Sequence, residues 1–303
     1  MRAGVLAVCI AIGVCALGAL WALRPFAAAL HAWGVALASA LAGAFLVFAA
    51  ISTLRSTKRH ERFAALCAFG GALAAGAIVT AGFAVGSAAR VPAAPGQVFV
   101  PGKATRVAVE FPAIPASVAL GGDPSAWPQS VIVADGSRRI DLAAGDEVRA
   151  GTYVFRALLG PIARVTATAL DGRSVTVTQP QGAAFASPYL TFPAVQGGQP
   201  SDLFAVPALH RIVRVAYYAG LPAHRIDIPF VLVQIDEENG GTLYQGVAVS
   251  GRPIRRANLE LEFFLGSYPV VFVASAPPLL PLLLGVAATA VGLVGFLLTG
   301  GES

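Results

Sequence analysis

Both ends of the chain are built of long apolar runs, and the stretch between them alternates apolar with polar positions. Four apolar runs, at residues 4–23, 26–54, 63–85 and 278–298, are each long enough to span hydrocarbon about 30 Å thick, which takes roughly 20 helical residues. Small residues dominate them; the third reads FAALCAFGGALAAGAIVTAGFAV. Gly and Ala at close spacing let helix backbones approach in lipid, so the pattern predicts a packed bundle of four transmembrane helices. Arg2 ahead of the first run also fits the start of a signal peptide. The second run follows almost at once, however, and a hairpin of two helices is the simpler reading.

From about residue 91 to 273 the period drops to two. SVIVAD, GTYVFRALL, ARVTATAL, RSVTVTQ, RIVRVAYY, IPFVLVQID, TLYQGVAVS and LELEFF are short runs rich in β-branched and aromatic residues. Asp135-Gly136, Asp171-Gly172, Asn239-Gly240-Gly241 and Ser250-Gly251 are turn signals between them. Gly160-Pro161 and Gly197-Gly198 read as turns as well. Such spacing predicts an all-β domain, a sandwich or barrel-like. Residues 141–169 align without gaps to 247–275, matching Gly145 with Gly251, Arg149 with Arg255 and Gly160 with Gly266. Either the domain holds two related β units, or turn glycines and alternating strands coincide. The resulting division is three helices over 1–89 with a basic loop at 55–62, a β-rich domain over 90–273, and a last helix with a short tail over 274–303.

Composition agrees with a membrane protein. Mean hydropathy is +0.71, and 12% of residues are charged, about half the share of a soluble domain. The formal charge of +5 suggests nucleic acid, but its location excludes that reading. The β region carries fifteen basic and fourteen acidic residues, whereas Arg2, Arg24, Arg55, Lys58, Arg59 and Arg62 face only Glu61 in the first helical part. A positive cluster in a short loop is a topology signal. It places the loop at 55–62 in the cytoplasm and the β domain outside. Trp21 and Trp33 flank the short turn at Arg24-Pro25, where an outer aromatic belt belongs. Cys9, Cys15 and Cys67 all lie in apolar runs, so the β domain has no disulfide, thiolate metal site or CxxC pair.

Four histidines are the main candidates for chemistry. His60 lies in the basic loop, where a solvated side chain is expected. His31 falls in the first turns of the second run, two residues before Trp33; an ionisable group at membrane depth is a functional candidate, against a snorkelling interfacial side chain. His210 and His224 lie in the β domain, where neither has the second His or Cys a metal site needs. Asp236-Glu237-Glu238-Asn239-Gly240 lacks the alternating oxygen ligands of a calcium loop and reads as a solvated hairpin tip. No hydrolase, zinc-protease or nucleotide-binding motif stands in a suitable context. No run has Asp, Glu, Lys or Arg at its middle, which argues against a transporter.

The order of parts resembles ResB, the membrane protein of system II cytochrome c maturation. His31-Ala32-Trp33-Gly34 resembles that family's aromatic entry to its second helix, and Ser52-Thr53-Leu54-Arg55 the end of it. Residues 62–83, with Gly70, Gly71 and Gly76, resemble the third helix; Gly96-Gln97 resembles the opening of the outer domain. Ala276-Pro277-Pro278 and PLLLGVAATAVGLVGFLL resemble the last helix. The chain departs from the family where a third-helix histidine is expected, reading Cys67-Ala68-Phe69-Gly70-Gly71; imidazole is a usual axial haem ligand, and neither Ala nor Phe can replace it.

The resemblance implies a multi-pass protein of the bacterial cytoplasmic membrane, with both termini inside. It would act in cytochrome c assembly beside a CcsA-type haem-handling partner, presenting haem or apocytochrome c on the outer face. Haem would then lie near His31 and Trp33, with His210 or His224 as further ligands. The alternative is a non-catalytic, membrane-anchored β scaffold that assembles an envelope complex. No enzyme activity is expected in either case.

Overall fold

The apolar runs form helices, the conformation in which a long stretch of Ala, Leu, Val and Gly satisfies its backbone polar groups internally wherever water is excluded. The structure is a computed structural model and describes residues 2–23, 32–55, 59–84, 89–102, 105–120, 126–178, 188–221 and 225–299. Its helices are α1 (Arg2–Leu23), α2 (Ala32–Arg55), α3 (Arg59–Ala84), a short α4 (Ala116–Leu120) within the β region, and α5 (Leu279–Thr299). Three of them, α1, α3 and α5, are long and apolar enough to cross a membrane. In α2 the described apolar stretch is shorter, Leu37–Ser52.

Glycine sets how closely these helices approach. A Cβ on Gly285 of α5 would sit 2.7 Å from the Gly70 carbonyl oxygen of α3, and one on Gly292 would sit 2.8 Å from the Cys67 backbone nitrogen. A Cβ on Gly295 would strike the Phe63 ring at 2.2 Å. No side chain larger than hydrogen fits at these points, so α3 and α5 pack backbone to backbone and antiparallel. Ala11 of α1 faces Gly71, and Gly18 lies near Ile78, so α1 runs parallel to α3. Thr289 is buried at this seam. Its hydroxyl lies 3.4 Å from the Cys15 Sγ, and the Cys67 thiol donates to its carbonyl at 3.4 Å. These contacts tie three helices together through polar groups within an apolar core.

The described residues of the β region form fifteen strands. They are β1 (Ala89–Arg90), β2 (Val98–Phe99), β3 (Val107–Glu110), β4 (Ser130–Asp135), β5 (Arg138–Ala143), β6 (Glu147–Ala150), β7 (Tyr153–Ala169), β8 (Tyr189–Leu190), β9 (Ala194–Gln196), β10 (Gln199–Val206), β11 (Arg211–Tyr218), β12 (Phe230–Glu237), β13 (Thr242–Val249), β14 (Ile254–Arg256) and β15 (Leu259–Ser275). All pairings are antiparallel. One sheet has the order β2-β3-β4-β5, a second β13-β12-β11-β10-β9, and a third β1-β15-β7-β6 with β8 and β14 attached.

The alignment of the two halves corresponds to a structural repeat. In each half an antiparallel meander, β2 to β5 in the first and β9 to β13 in the second, leads into a short strand, a two-residue turn and a 17-residue strand, β7 or β15. Matched residues make matched bonds. Gly145 N–H donates to the Ala157 carbonyl and Gly251 N–H to the Phe263 carbonyl, each at 2.8 Å. Asp146 donates to Ala143 and Arg252 to Val249, each at 3.1 Å. The turn pairs correspond too, with left-handed φ at Gly151 (58°) and at Ala257 (53°). The long strands pair antiparallel along their whole length, Tyr153 with Ser275 and Ala169 with Leu259. Pro161 pairs with Ser267, its own counterpart in the alignment, so an approximate two-fold axis passes there.

Each long strand serves both units. The first core takes Phe155, Ala157 and Ile162 from β7 together with Val271 and Val273 from β15. The second takes Ala163 and Val165 from β7 with Leu261, Phe263 and Leu265 from β15. This arrangement corrects one sequence expectation, since Gly160-Pro161 is not a turn but lies within β7. On the other edge of β7, the β6 pairing ends at Arg156 and the β8 pairing begins at Ala163. A proline without an N–H is tolerated beside that gap. Gly160 also has no room for a Cβ, which would meet Val270 at 2.4 Å. RSVTVTQ likewise forms only isolated bridges at Ser174 and Thr178 among its described residues.

Candidate functional site

The histidines expected to carry chemistry are not brought together by the described structure. His31 and His224 lie outside the described residues. Trp33 belongs to α2, and its side chain also lies outside the description. His210 closes a 3-10 turn (Pro207–Leu209) in the left-handed conformation, φ 53°. Its exposed ring sits 2.8 Å from a Glu238 carboxylate oxygen at the end of the β11–β12 ladder. His60 lies 3.9 Å from Glu61. Among the described residues no cluster of three His, Cys, Asp or Glu could hold a metal ion.

The acidic turn differs from its sequence reading. Asp236 is the second-last residue of β12, beside an irregularity in the β12–β13 register, and it is buried. Burial works to raise its carboxyl group. Hydrogen bonds from Gln234, Thr242 and Arg214, with the Arg214 charge, prevail and hold it below the usual aspartate value. The contacts are 2.9 Å from Gln234 Nε2, 2.8 Å from Thr242 Oγ1 and 3.0 Å from Arg214 Nε. Only Glu237 onward is exposed. The network therefore locks the base of the hairpin.

A second polar group joins the two β units. Asp202 at β10 accepts backbone N–H bonds from Thr191 (3.0 Å), Phe192 (3.2 Å) and Leu203 (2.8 Å). Arg90 of β1 donates to the Thr191 and Phe192 carbonyls. Burial pushes the Asp202 carboxyl up against these bonds and lowers the Arg90 guanidinium value. Phe192 between them has a left-handed φ of 50°. The pair clamps an irregular corner, and Arg90 with Thr191 also borders a narrow recess beside Pro161 and Tyr268. On the side that faces the helices, Arg149 donates to the Pro277 carbonyl, and Ala276 N–H donates to the Thr152 carbonyl at 2.8 Å. These bonds pin the linker to α5 against the β6–β7 turn.

A large concave feature lies on the helices. A groove of about 910 Å³ runs between α2, α3 and α5 at the end where α3 begins and α5 finishes. Leu46, Leu66, Phe69 and Leu298 line its length, and Arg59 and Arg62 its mouth. Leu46, Phe69 and Leu298 are exposed, so the groove opens sideways from the bundle. Along the chain Arg59 and Arg62 stand out only as an orientation signal. Their spacing of three on a helix puts both on one face, which was the available clue.

No family model, curated protein or solved structure matches this chain.

Proposed function

We propose that this chain is a non-catalytic, membrane-anchored assembly factor whose β domain binds a protein partner outside the cytoplasmic membrane. In this reading all four long helices span the bilayer. Helix α2 has 24 residues, about 36 Å at the α-helical rise, which suffices. The basic loop and both termini lie in the cytoplasm. The supporting observation is edge strand β13, which closes one side of the five-stranded sheet and exposes Leu243 and Val247. An edge with unpaired backbone groups and apolar side chains is suited to strand addition by a partner. The test is made in the host cell. Deleting the gene is expected to remove one native membrane complex, which the wild-type chain restores and a Leu243→Lys/Val247→Lys chain, present at equal level, does not. Native complexes unchanged by deletion would sink this reading.

The second reading is a ResB-like role in cytochrome c assembly. What favours it is the order of parts: three helices, a β domain, and a final helix returning antiparallel to the third. The chain would hold haem near His31 and Trp33 beside a CcsA-type partner. Protein extracted from membranes that contain the partner is then expected to show a Soret band, reduced by His31→Ala. Absence of the band in the wild-type preparation would eliminate this role.

A further inference from the structure

We infer that the groove between α2, α3 and α5 is a binding site for one anionic diacyl phospholipid. The inference rests on the membrane reading of the helices and on neither partner proposal.

Two properties of the groove point to this occupant. Its length is apolar, from Phe69 and Leu46 to Leu66 and Leu298, and it opens sideways where hydrocarbon surrounds the bundle. A soluble ligand would have to cross lipid to enter there, whereas an acyl chain is already in place. Its mouth is cationic. Arg59 and Arg62 are both exposed, and neither forms an ion pair among the described residues. The sequence around them carries Arg55 and Lys58 as well, against Glu61 alone, and Glu61 does not line the groove. Basic pockets between transmembrane helices on the cytoplasmic side recognise acidic headgroups. A guanidinium fork also matches phosphate oxygens better than an ammonium does. The volume of about 910 Å³ lies at the upper end for sites that hold drug-sized molecules, enough for a chain and part of a headgroup. A transmembrane helix of another protein would fill the apolar part but leave two cations without a counter-charge.

The test uses the full chain in detergent, titrated with phosphatidylglycerol or with phosphatidylcholine of the same acyl chains. Bound lipid is counted by native mass spectrometry. Phosphatidylglycerol is expected to be retained roughly tenfold more tightly, and Arg59→Gln/Arg62→Gln to abolish that preference while leaving the thermal transition in place. Leu66→Trp, which fills the groove from α3, is expected to reduce retention of both lipids; Leu46→Trp does the same from α2 if the α3 variant does not fold. Inorganic phosphate is not expected to compete. Equal retention of the two lipids by the wild type, or an undiminished preference in the double variant, would overturn the proposal. So would full competition by inorganic phosphate, or groove-filling variants that change only the oligomeric state.

Discussion

At the residue scale, placement decides which polar groups matter. Asp236 stands in an acidic run that looks solvated along the chain, yet the register of β12 against β13 turns it inward onto Gln234, Thr242 and Arg214. Its carboxyl is held below the ordinary aspartate value, so it contributes stability that is present above about pH 4 and lost as pH falls through the folded value. Chemical denaturation at pH 7 and pH 3 is expected to show a larger acid loss for the wild type than for Asp236→Asn. Equal losses would show that Asp236 is not the responsible group. Ala257 offers an opposite case. It occupies the left-handed region where its counterpart in the first unit is Gly151. A Cβ there costs about 1 kcal/mol, so Ala257→Gly is expected to raise the unfolding midpoint, and a lowered midpoint would contradict the strain argument.

At the element scale, two devices organise the molecule. One is the small-residue seam of α3 and α5, where Gly70, Gly285 and Gly292 allow backbone contact and Thr289 links Cys15 to Cys67. Gly285→Leu must separate these helices and is expected to cost about 1–3 kcal/mol by thermal unfolding in detergent. An unchanged transition would mean that the seam does not hold the bundle. The other device is the pair of long strands. The close spacing of small residues was visible along the chain, and so was the alternation in SVIVAD and RIVRVAYY, which match β4 and β11 residue for residue. The union of GTYVFRALL and ARVTATAL into one strand was not visible. Gly160-Pro161 carries a strong local turn signal, and the local preference is overridden because the open edge of β7 tolerates Pro161 while Val270 occupies the space beside Gly160.

At the scale of the whole molecule, the basic end of the bundle and the β domain lie at opposite ends of the helices, since α1 and α3 run together and α5 returns against them. If the basic end is cytoplasmic, a membrane-impermeant maleimide applied to intact spheroplasts will label Asn239→Cys but label Ser56→Cys only after lysis. Both variants are made with Cys9, Cys15 and Cys67 replaced. The reverse pattern would invert the proposed topology. The chain by itself determined the apolar helices, the change to period two, most of the turn glycines and the positive charge of residues 55–62, because each is written in local residue spacing. It also held the repeat, but only as a choice between two related β units and coincidence. Tertiary structure decided that choice through matched bonds at Gly145 and Gly251. It buried Asp236, and it brought Arg59 and Arg62 to the mouth of an apolar groove formed with α2 and α5. These outcomes depend on which distant segments pack together, and pairwise packing is not encoded in the period of any one segment.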